Sequence, residues 1–249
     1  MHESLPVLER EAAPPPLDVS ATALFLDLDG TLAPIEARPD HVVADAGRTA
    51  LIKAAAQRMG GRLAIVSGRS LADLDRILEG AVPAAAAIHG LVRRTAAGGV
   101  LSRPPHPGLN TARVMLDRLA DRPGILLEDK ALGLAVHFRK APEREAEVTE
   151  LCRRVAATTG LVLQLGSMVA ELRTPGADKG ASVRAFMVEA PFAGATPVFV
   201  GDDLTDEDGF AAAAELGGYG VLVGEPRKSA ARYRLADVDA VLAWLAGRP

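Results

Sequence analysis

Two carboxylates two positions apart, Asp27 and Asp29, close the apolar run Leu24-Phe25-Leu26-Asp27-Leu28, with Gly30 and Thr31 directly behind them. A carboxylate in such a place can attack phosphorus, and its neighbour can exchange protons with a leaving oxygen or with water. A divalent cation is then needed to hold two anions beside a phosphate. The run Leu24 to Leu28 suits a strand buried on both faces of a parallel sheet, and Gly30 turns the chain sharply at its carboxyl end. Ligands of open α/β sheets bind at that end. This is a phosphoryl-transfer site in outline.

Three more stretches carry compatible chemistry. The run Val198-Phe199-Val200-Gly201 leads into Asp202 and Asp203, so an apolar strand again delivers acids after a glycine. If both strands lie in one parallel sheet, Asp27, Asp29, Asp202 and Asp203 meet at the same edge, an all-oxygen set suited to magnesium. The following Asp206, Glu207 and Asp208 read first as acids that complement a helix N-terminus, with Asp206 the best placed of the three to orient a ligand. The strand Leu63-Ala64-Ile65-Val66 ends in Ser67-Gly68-Arg69, where the serine hydroxyl and the amides after it can hold phosphate oxygens, or the serine can simply cap a helix. Asp178-Lys179-Gly180 offers a compact positive charge to a nucleophilic aspartate and to phosphate.

The elements that must position these residues alternate along the chain. The apolar patterns predict a strand at 22–28, a helix near 45–58, a strand at 62–66, a helix near 70–79 and a strand near 84–89. That order belongs to right-handed β-α-β units in a parallel, Rossmann-like sheet covered by helices on both faces. After Pro104, Pro105 and Pro107 it changes to a helix near 109–121, strands at about 124–130 and 132–139, a helix near 142–159, and strands at about 161–166 and 168–173. An αββαββ order of this kind is a small antiparallel sheet with helices on one face. Beyond Thr174-Pro175-Gly176 the alternation returns, with helices at 179–189, 206–214 and near 235–246 and strands at 196–200 and 219–223. The expected organisation is a three-layer α/β core at 21–104 and 176–249, interrupted by an α+β cap at 105–175, with 1–20 a loose lead-in rather than a leader or anchor.

Composition narrows the function class. The 249 residues are 49% hydrophobic, 24% charged and 4% aromatic, with a net charge of -4. Neither a basic field nor a set of stacking aromatics recommends nucleic acid as a partner, and no apolar stretch is long enough to span a bilayer. The expectations are a cytoplasmic protein, a monomer, and a small-molecule substrate. Cys152 reads as an ordinary helix residue, and His2, His41 and His106 as surface residues without metal-ligand spacing.

Taken in order, the strings Asp-Leu-Asp-Gly-Thr-Leu-Ala-Pro-Ile (27–35), Ser-Gly-Arg (67–69), Glu-Leu-Arg (171–173), Asp-Lys-Gly (178–180) and Gly-Asp-Asp-Leu-Thr-Asp-Glu-Asp (201–208) resemble the haloacid-dehalogenase (HAD) superfamily of phosphotransferases. The longer strings resemble its trehalose-6-phosphate phosphatase family in particular. The resemblance implies a HAD-like core with Asp27 as nucleophile, Asp29 as general acid and base, and Lys179 beside them. It implies Asp29, Gly30, Thr31, Ser67, Gly68 and Lys179 around the phosphate. Mg2+ would be held by Asp27, the Asp29 backbone carbonyl and Asp202, with Asp203 or Asp206 close by. His89-Gly90 resembles a family segment less closely, and His89 is expected to support its loop.

In the cap, Glu128 and Lys130 share one strand face, as do His137 and Arg139. Spacing alone leaves open whether these form a sugar clamp or solvent-facing cross-strand salt bridges. The resemblance implies that Glu128, Lys130, His137, Arg139 and Glu171 grip a disaccharide. The expected activity is hydrolysis of trehalose 6-phosphate to trehalose and inorganic phosphate through an aspartyl-phosphate, the last step of trehalose biosynthesis. The alternative is a related sugar phosphatase or phosphomutase acting on a sucrose phosphate or a mannosyl-type phosphate.

Overall fold

In the computed structural model, which describes residues 12–36, 38–130, 132–166 and 168–247, the apolar run ahead of Asp27 forms β1 (Thr22–Leu26), buried along its whole length. The first eleven residues of the expected lead-in lie outside the described residues. The chain continues through α1 (Ala46–Arg58), β2 (Leu63–Val66), α2 (Leu71–Leu78), β3 (Ala84–Ala87), β4 (Val92–Arg94) and β5 (Val100–Ser102). Then come α3 (Gly108–Ala120), β6 (Leu126–Asp129), β7 (Gly133–His137), α4 (Glu145–Thr159), β8 (Val162–Gly166) and β9 (Val169–Arg173). The last stretch holds α5 (Lys179–Met187), β10 (Thr196–Gly201), α6 (Glu207–Glu215), β11 (Tyr219–Val223), β12 (Tyr233–Leu235) and α7 (Val238–Leu245). Two units result, one of Met1–Ser102 with Asp178–Pro249, the other of Arg103–Ala177.

The first unit is built on an eight-stranded sheet in the order β12-β11-β10-β1-β2-β3-β4-β5, parallel from β12 to β3. Because side chains alternate along a strand, β1 sends Leu24 and Leu26 to one face and Ala23 and Phe25 to the other. On the first face they pack with Ile52 of α1 and Met59 just after it, Leu74 and Ile77 of α2, and Val241 and Trp244 of α7. On the second they pack with Val183 and Phe186 of α5 and Phe210 of α6. This is a three-layer α/β/α core, and its central parallel strands β1, β2 and β3 are buried on both faces because helices cover both.

Three short strands lie outside the pattern read from the sequence. The hairpin β4–β5 extends the sheet antiparallel to β3. Its Arg93 and Arg94 are tied bidentately to Glu189 and Asp75 respectively. Strand β12 pairs with β11, and the last helix starts at Val238 rather than near 235, because the Asp237 carboxylate accepts the Ala240 amide and caps it there.

The second unit is a four-stranded antiparallel sheet in the order β6-β7-β9-β8. One face, with Leu134, Val136, Ala170 and Leu172, packs on Leu116 of α3 and Val148, Cys152 and Val155 of α4. Cys152 is fully buried there, and burial pushes its thiol up to about 11, away from reactivity. No helix among the described residues is long and apolar enough to cross a membrane.

Phe186 is fully buried between Phe25 and Phe192, with ring centroids 6.0 and 5.1 Å away, and Arg93 stands over its ring. Phe186→Ala is expected to cost roughly 3–5 kcal/mol by leaving a cavity under β1, read as a lower midpoint in urea unfolding.

Candidate active site

Register decides which side chains meet. Leu26 lies opposite Val200 of β10 and Ile65 of β2, so all three strands end at one level, and the Asp27 amide still donates to the Val200 carbonyl at 3.0 Å. Asp27 continues the alternation of β1 toward the face covered by α5. There Lys179, the first residue of that helix, is fixed by its N-cap Asp178, whose carboxylate accepts the Ala181 amide.

The Lys179 ammonium, only 2% exposed, contacts Asp27 at 3.1 Å and donates to Asp206 at 2.6 Å. Asp206 is fully buried and its other oxygen accepts the amides of Asp202 and Asp203, each at 3.0 Å. One oxygen from each of Asp27, Asp202 and Asp206 lies within 4.8 Å of the others. Two glycines make this approach possible. A Cβ on Gly30, which sits at φ +76°, would overlap the Asp202 carboxylate, and one on Gly201 would overlap that of Asp206.

The charges do not balance within this cluster. Burial works to lower Lys179, but Asp27 and Asp206 outweigh it and push its pKa up, so it stays an ammonium. Burial raises Asp27 against the pull of Lys179, and burial with the Asp27 charge raises Asp206. Asp202 is pushed up to about 7 by burial and by the charges of Asp206 and Asp203. Three clustered carboxylates share one ammonium, an oxygen-rich and electron-rich set that suits a hard divalent cation.

Asp203 stands differently. Its carboxylate accepts the amide and hydroxyl of Thr205, and that hydroxyl bond and Lys179 hold its pKa down despite burial. The structure therefore brings Asp206, rather than Asp203, to Asp27 and Asp202. Asp206 was the less obvious of the two in sequence because an acid one residue before a helix also satisfies the helix dipole.

Asp29 is 34% exposed, and Arg69 grips both of its oxygens, Nε donating at 2.6 Å and Nη2 at 2.7 Å. A bidentate fork of this kind needs a carboxylate, so one of its bonds must open when that oxygen takes up a proton. The Ser-Gly-Arg string gave the cation but not this role for it. Ser67 is buried at the end of β2, its hydroxyl accepting the Arg69 amide at 3.3 Å. The backbone there is pinned by the amides of Ile88 and His89, which donate to the carbonyls of Arg69 and Ser67. Gly68 leaves room for the His89 ring. The amides of Gly30 and Thr31 donate to Ala33 and Leu28 within their own loop, and the Thr31 hydroxyl reaches Asp202 at 3.4 Å.

In the second unit the register aligns Glu128, Ala135, Glu171 and Gln164 in one row on the sheet face away from the helices. His137 lies on the same face, its Nε2 2.8 Å from Glu128, and Lys130 donates to Glu171 at 3.4 Å. Arg139 is exposed beyond the end of β7. Arg173 and Gln164 share this face, two positions from Glu171 and directly across from it respectively. The period-2 pattern around Glu171 carries the signal for Arg173, whereas only the pairing of β8 with β9 shows Gln164.

A family model described as trehalose-phosphatase matches residues 25–239. The trehalose-6-phosphate phosphatase of Escherichia coli is 39% identical over 226 residues, 90% of this chain and 85% of that protein. A solved structure of a trehalose-6-phosphate phosphatase related protein is 28% identical and superposes with a TM-score of 0.71, covering 90% of this chain and 95% of that one. A phosphatase of the haloalkanoate (HAD) superfamily from Bacteroides thetaiotaomicron, 18% identical, has the same fold, with a TM-score of 0.62 over 95% of this chain and 97% of its own.

A prediction follows from the raised carboxyl of Asp202. Its folded pKa of about 7 lies above its ordinary value of 3.8, so the folded state carries the cost of this charge fully above about pH 7 and sheds it as pH falls toward 4. In chelator-treated protein, Asp202→Asn is expected to melt above the wild type at pH 8, with the gap closing by pH 4 to 5. Thermal melts across that range check the sign.

Proposed function

The chain belongs to the trehalose-phosphatase family, and from that membership we propose that it hydrolyses trehalose 6-phosphate to trehalose and inorganic phosphate, with Asp27 as nucleophile and Mg2+ as its cation. The observation that carries the chemistry is the buried contact of Asp27 with Lys179 at the level where three parallel strands end. Lys179 holds one Asp27 oxygen and so aims the other, which is what in-line attack on phosphorus asks of a carboxylate.

The proposed reaction has two displacements. An Asp27 oxygen bonds to phosphorus as the bond from phosphorus to the sugar oxygen breaks, and Asp29 in its acid form gives that oxygen a proton. Asp29, now a carboxylate, takes a proton from water as the water oxygen attacks the aspartyl-phosphate, and the Asp27 carboxylate leaves. Arg69 holds both Asp29 oxygens, so its fork fixes where that side chain stands toward the leaving oxygen and the attacking water. Asp27, Asp202, Asp206 and the Asp29 carbonyl would hold the cation, which supplies charge neutralisation at the phosphate and favours the ionised form of Asp27. Ser67 and Lys179 contact phosphate oxygens.

Selectivity for the sugar is assigned to the polar face of the second unit, with Glu128, Lys130, His137, Arg139 and Glu171 binding hydroxyls. The mixture of acids, a lysine and an imidazole in one plane supports a polyhydroxyl ligand, because each sugar hydroxyl both donates and accepts. The Gln164 Oε1, buried and without a hydrogen-bond partner among the described residues, adds an acceptor on the same face.

Asp27→Asn is expected to lose turnover by roughly a thousandfold or more, measured as phosphate release with added Mg2+. Survival of turnover in that variant removes the nucleophile. Glu128→Ala and Lys130→Ala are each expected to lower kcat/KM for trehalose 6-phosphate by about 10- to 100-fold while leaving a small aryl phosphate within about threefold. Equal losses on both substrates reject the sugar assignment. A panel containing sucrose and mannosyl-type phosphates ranks the sugars, and preference for either overturns trehalose.

A further inference from the structure

Glu207 opens α6 and reads in sequence as a helix N-terminal acid, but its carboxylate has other work. It is paired with the Arg227 guanidinium from the loop between β11 and β12, and it also accepts the Ser229 hydroxyl at 3.1 Å and the Ala230 amide at 2.7 Å. Arg227 then turns to the acidic loop. Its Nη2 donates to the Asp203 carbonyl at 2.7 Å and reaches the Asp202 carbonyl at 3.4 Å. Both side chains of the pair are largely shielded, at 25% and 18% exposure, so solvent screening is partial.

The peptide between Asp202 and Asp203 is planar, so gripping its two ends fixes its orientation. Its N–H is held by Asp206 at 3.0 Å, and its C=O faces Arg227. The next peptide is held by the shorter of the two Arg227 bonds. The Asp202 side chain grows from this frame, and its direction toward Asp27 is set by it. Without Arg227 the Asp203 carbonyl keeps only the longer bond from the Asp206 amide, at 3.3 Å, and the Asp202 carbonyl loses its guanidinium contact.

We propose that Arg227, anchored on Glu207, is a positioning residue that fixes the Asp202–Asp203 backbone and so sets the affinity of the Asp27–Asp202–Asp206 cluster for a divalent cation. The inference rests on the reading of Asp202 as a cation ligand. It has a sign that simple electrostatics would not give. Removing a positive charge near a cation site raises cation affinity, whereas removing the clamp that orients a ligand lowers it, commonly by 10- to 100-fold.

The test is isothermal titration of the full chain with Mg2+ alone, in the absence of substrate, on the wild type, Arg227→Ala, Arg227→Lys and Asp202→Asn. Arg227→Ala is expected to bind Mg2+ about tenfold or more weakly. Arg227→Lys keeps the charge but not the fork, so it is expected to fall between Arg227→Ala and the wild type. In kinetics, saturating Mg2+ is expected to restore most of kcat to Arg227→Ala with KM for the phosphate ester unchanged, a rescue that general loss of structure would not give. Unchanged or tighter Mg2+ binding in Arg227→Ala, alongside loss in Asp202→Asn, overturns the positioning role while leaving the cation site standing. Unchanged binding in both variants overturns the cation site and the role together. Should Arg227→Ala not fold, Arg227→Lys decides alone, with wild-type affinity overturning the proposal.

Discussion

The site depends on one buried ammonium held between two buried carboxylates. Lys179 lies between Asp27 and Asp206 with almost no access to water, and an isolated charge there would be too costly to keep. Each of the three groups needs the others. The arrangement holds because β1 and β10 end at the same level, Asp178 starts α5 at Lys179, and Gly201 lets the Asp206 carboxylate approach its Cα. With Asp202 added, the cluster still has more carboxylates than Lys179 can neutralise, and a divalent cation fits that imbalance. The fold thus holds Asp27 at the cost of a charge imbalance that a cation can offset.

The two units carry their polar residues on different kinds of backbone. In the first, chemistry-bearing residues stand just past the ends of parallel strands, where side chains from separate parts of the sequence converge and loops can be tightened by glycine. In the second, the polar residues occupy alternate positions along antiparallel strands, so that one face packs on helices and the other keeps its charges. Residue spacing along a strand therefore maps directly onto that face. That separation is what the proposed function asks for, with phosphorus chemistry in the first unit and selection of the alcohol in the second.

Much of this was legible in the sequence because buried parallel strands are continuous apolar runs. The positions of β1, β2 and β10 could be read from Leu24-Phe25-Leu26, Leu63-Ala64-Ile65-Val66 and Val198-Phe199-Val200, and the acids that follow them were conspicuous. The three-residue strands β4, β5 and β12 were not, since three residues are too few to display alternation and Arg93, Arg94 and Arg234 look like solvent-facing loop residues. The choice between Asp203 and Asp206 was equally hidden, because it depends on which carboxylate turns to Thr205 and which to Lys179. The Arg69 fork on Asp29 and the Arg227 grip on the Asp202–Asp203 backbone join residues 40 and 24 or 25 positions apart. No local pattern announces such pairs; only the topology that closes the intervening chain does.

The central claim is that Asp27 carries the phosphoryl group during turnover. Borohydride added during steady-state hydrolysis of trehalose 6-phosphate reduces an acyl phosphate to an alcohol, and peptide mass mapping then locates the modified residue. The account predicts substrate-dependent conversion of the residue 27 side chain to that of homoserine. Conversion at a different carboxylate, or none at residue 27 while phosphate is being released, would contradict it.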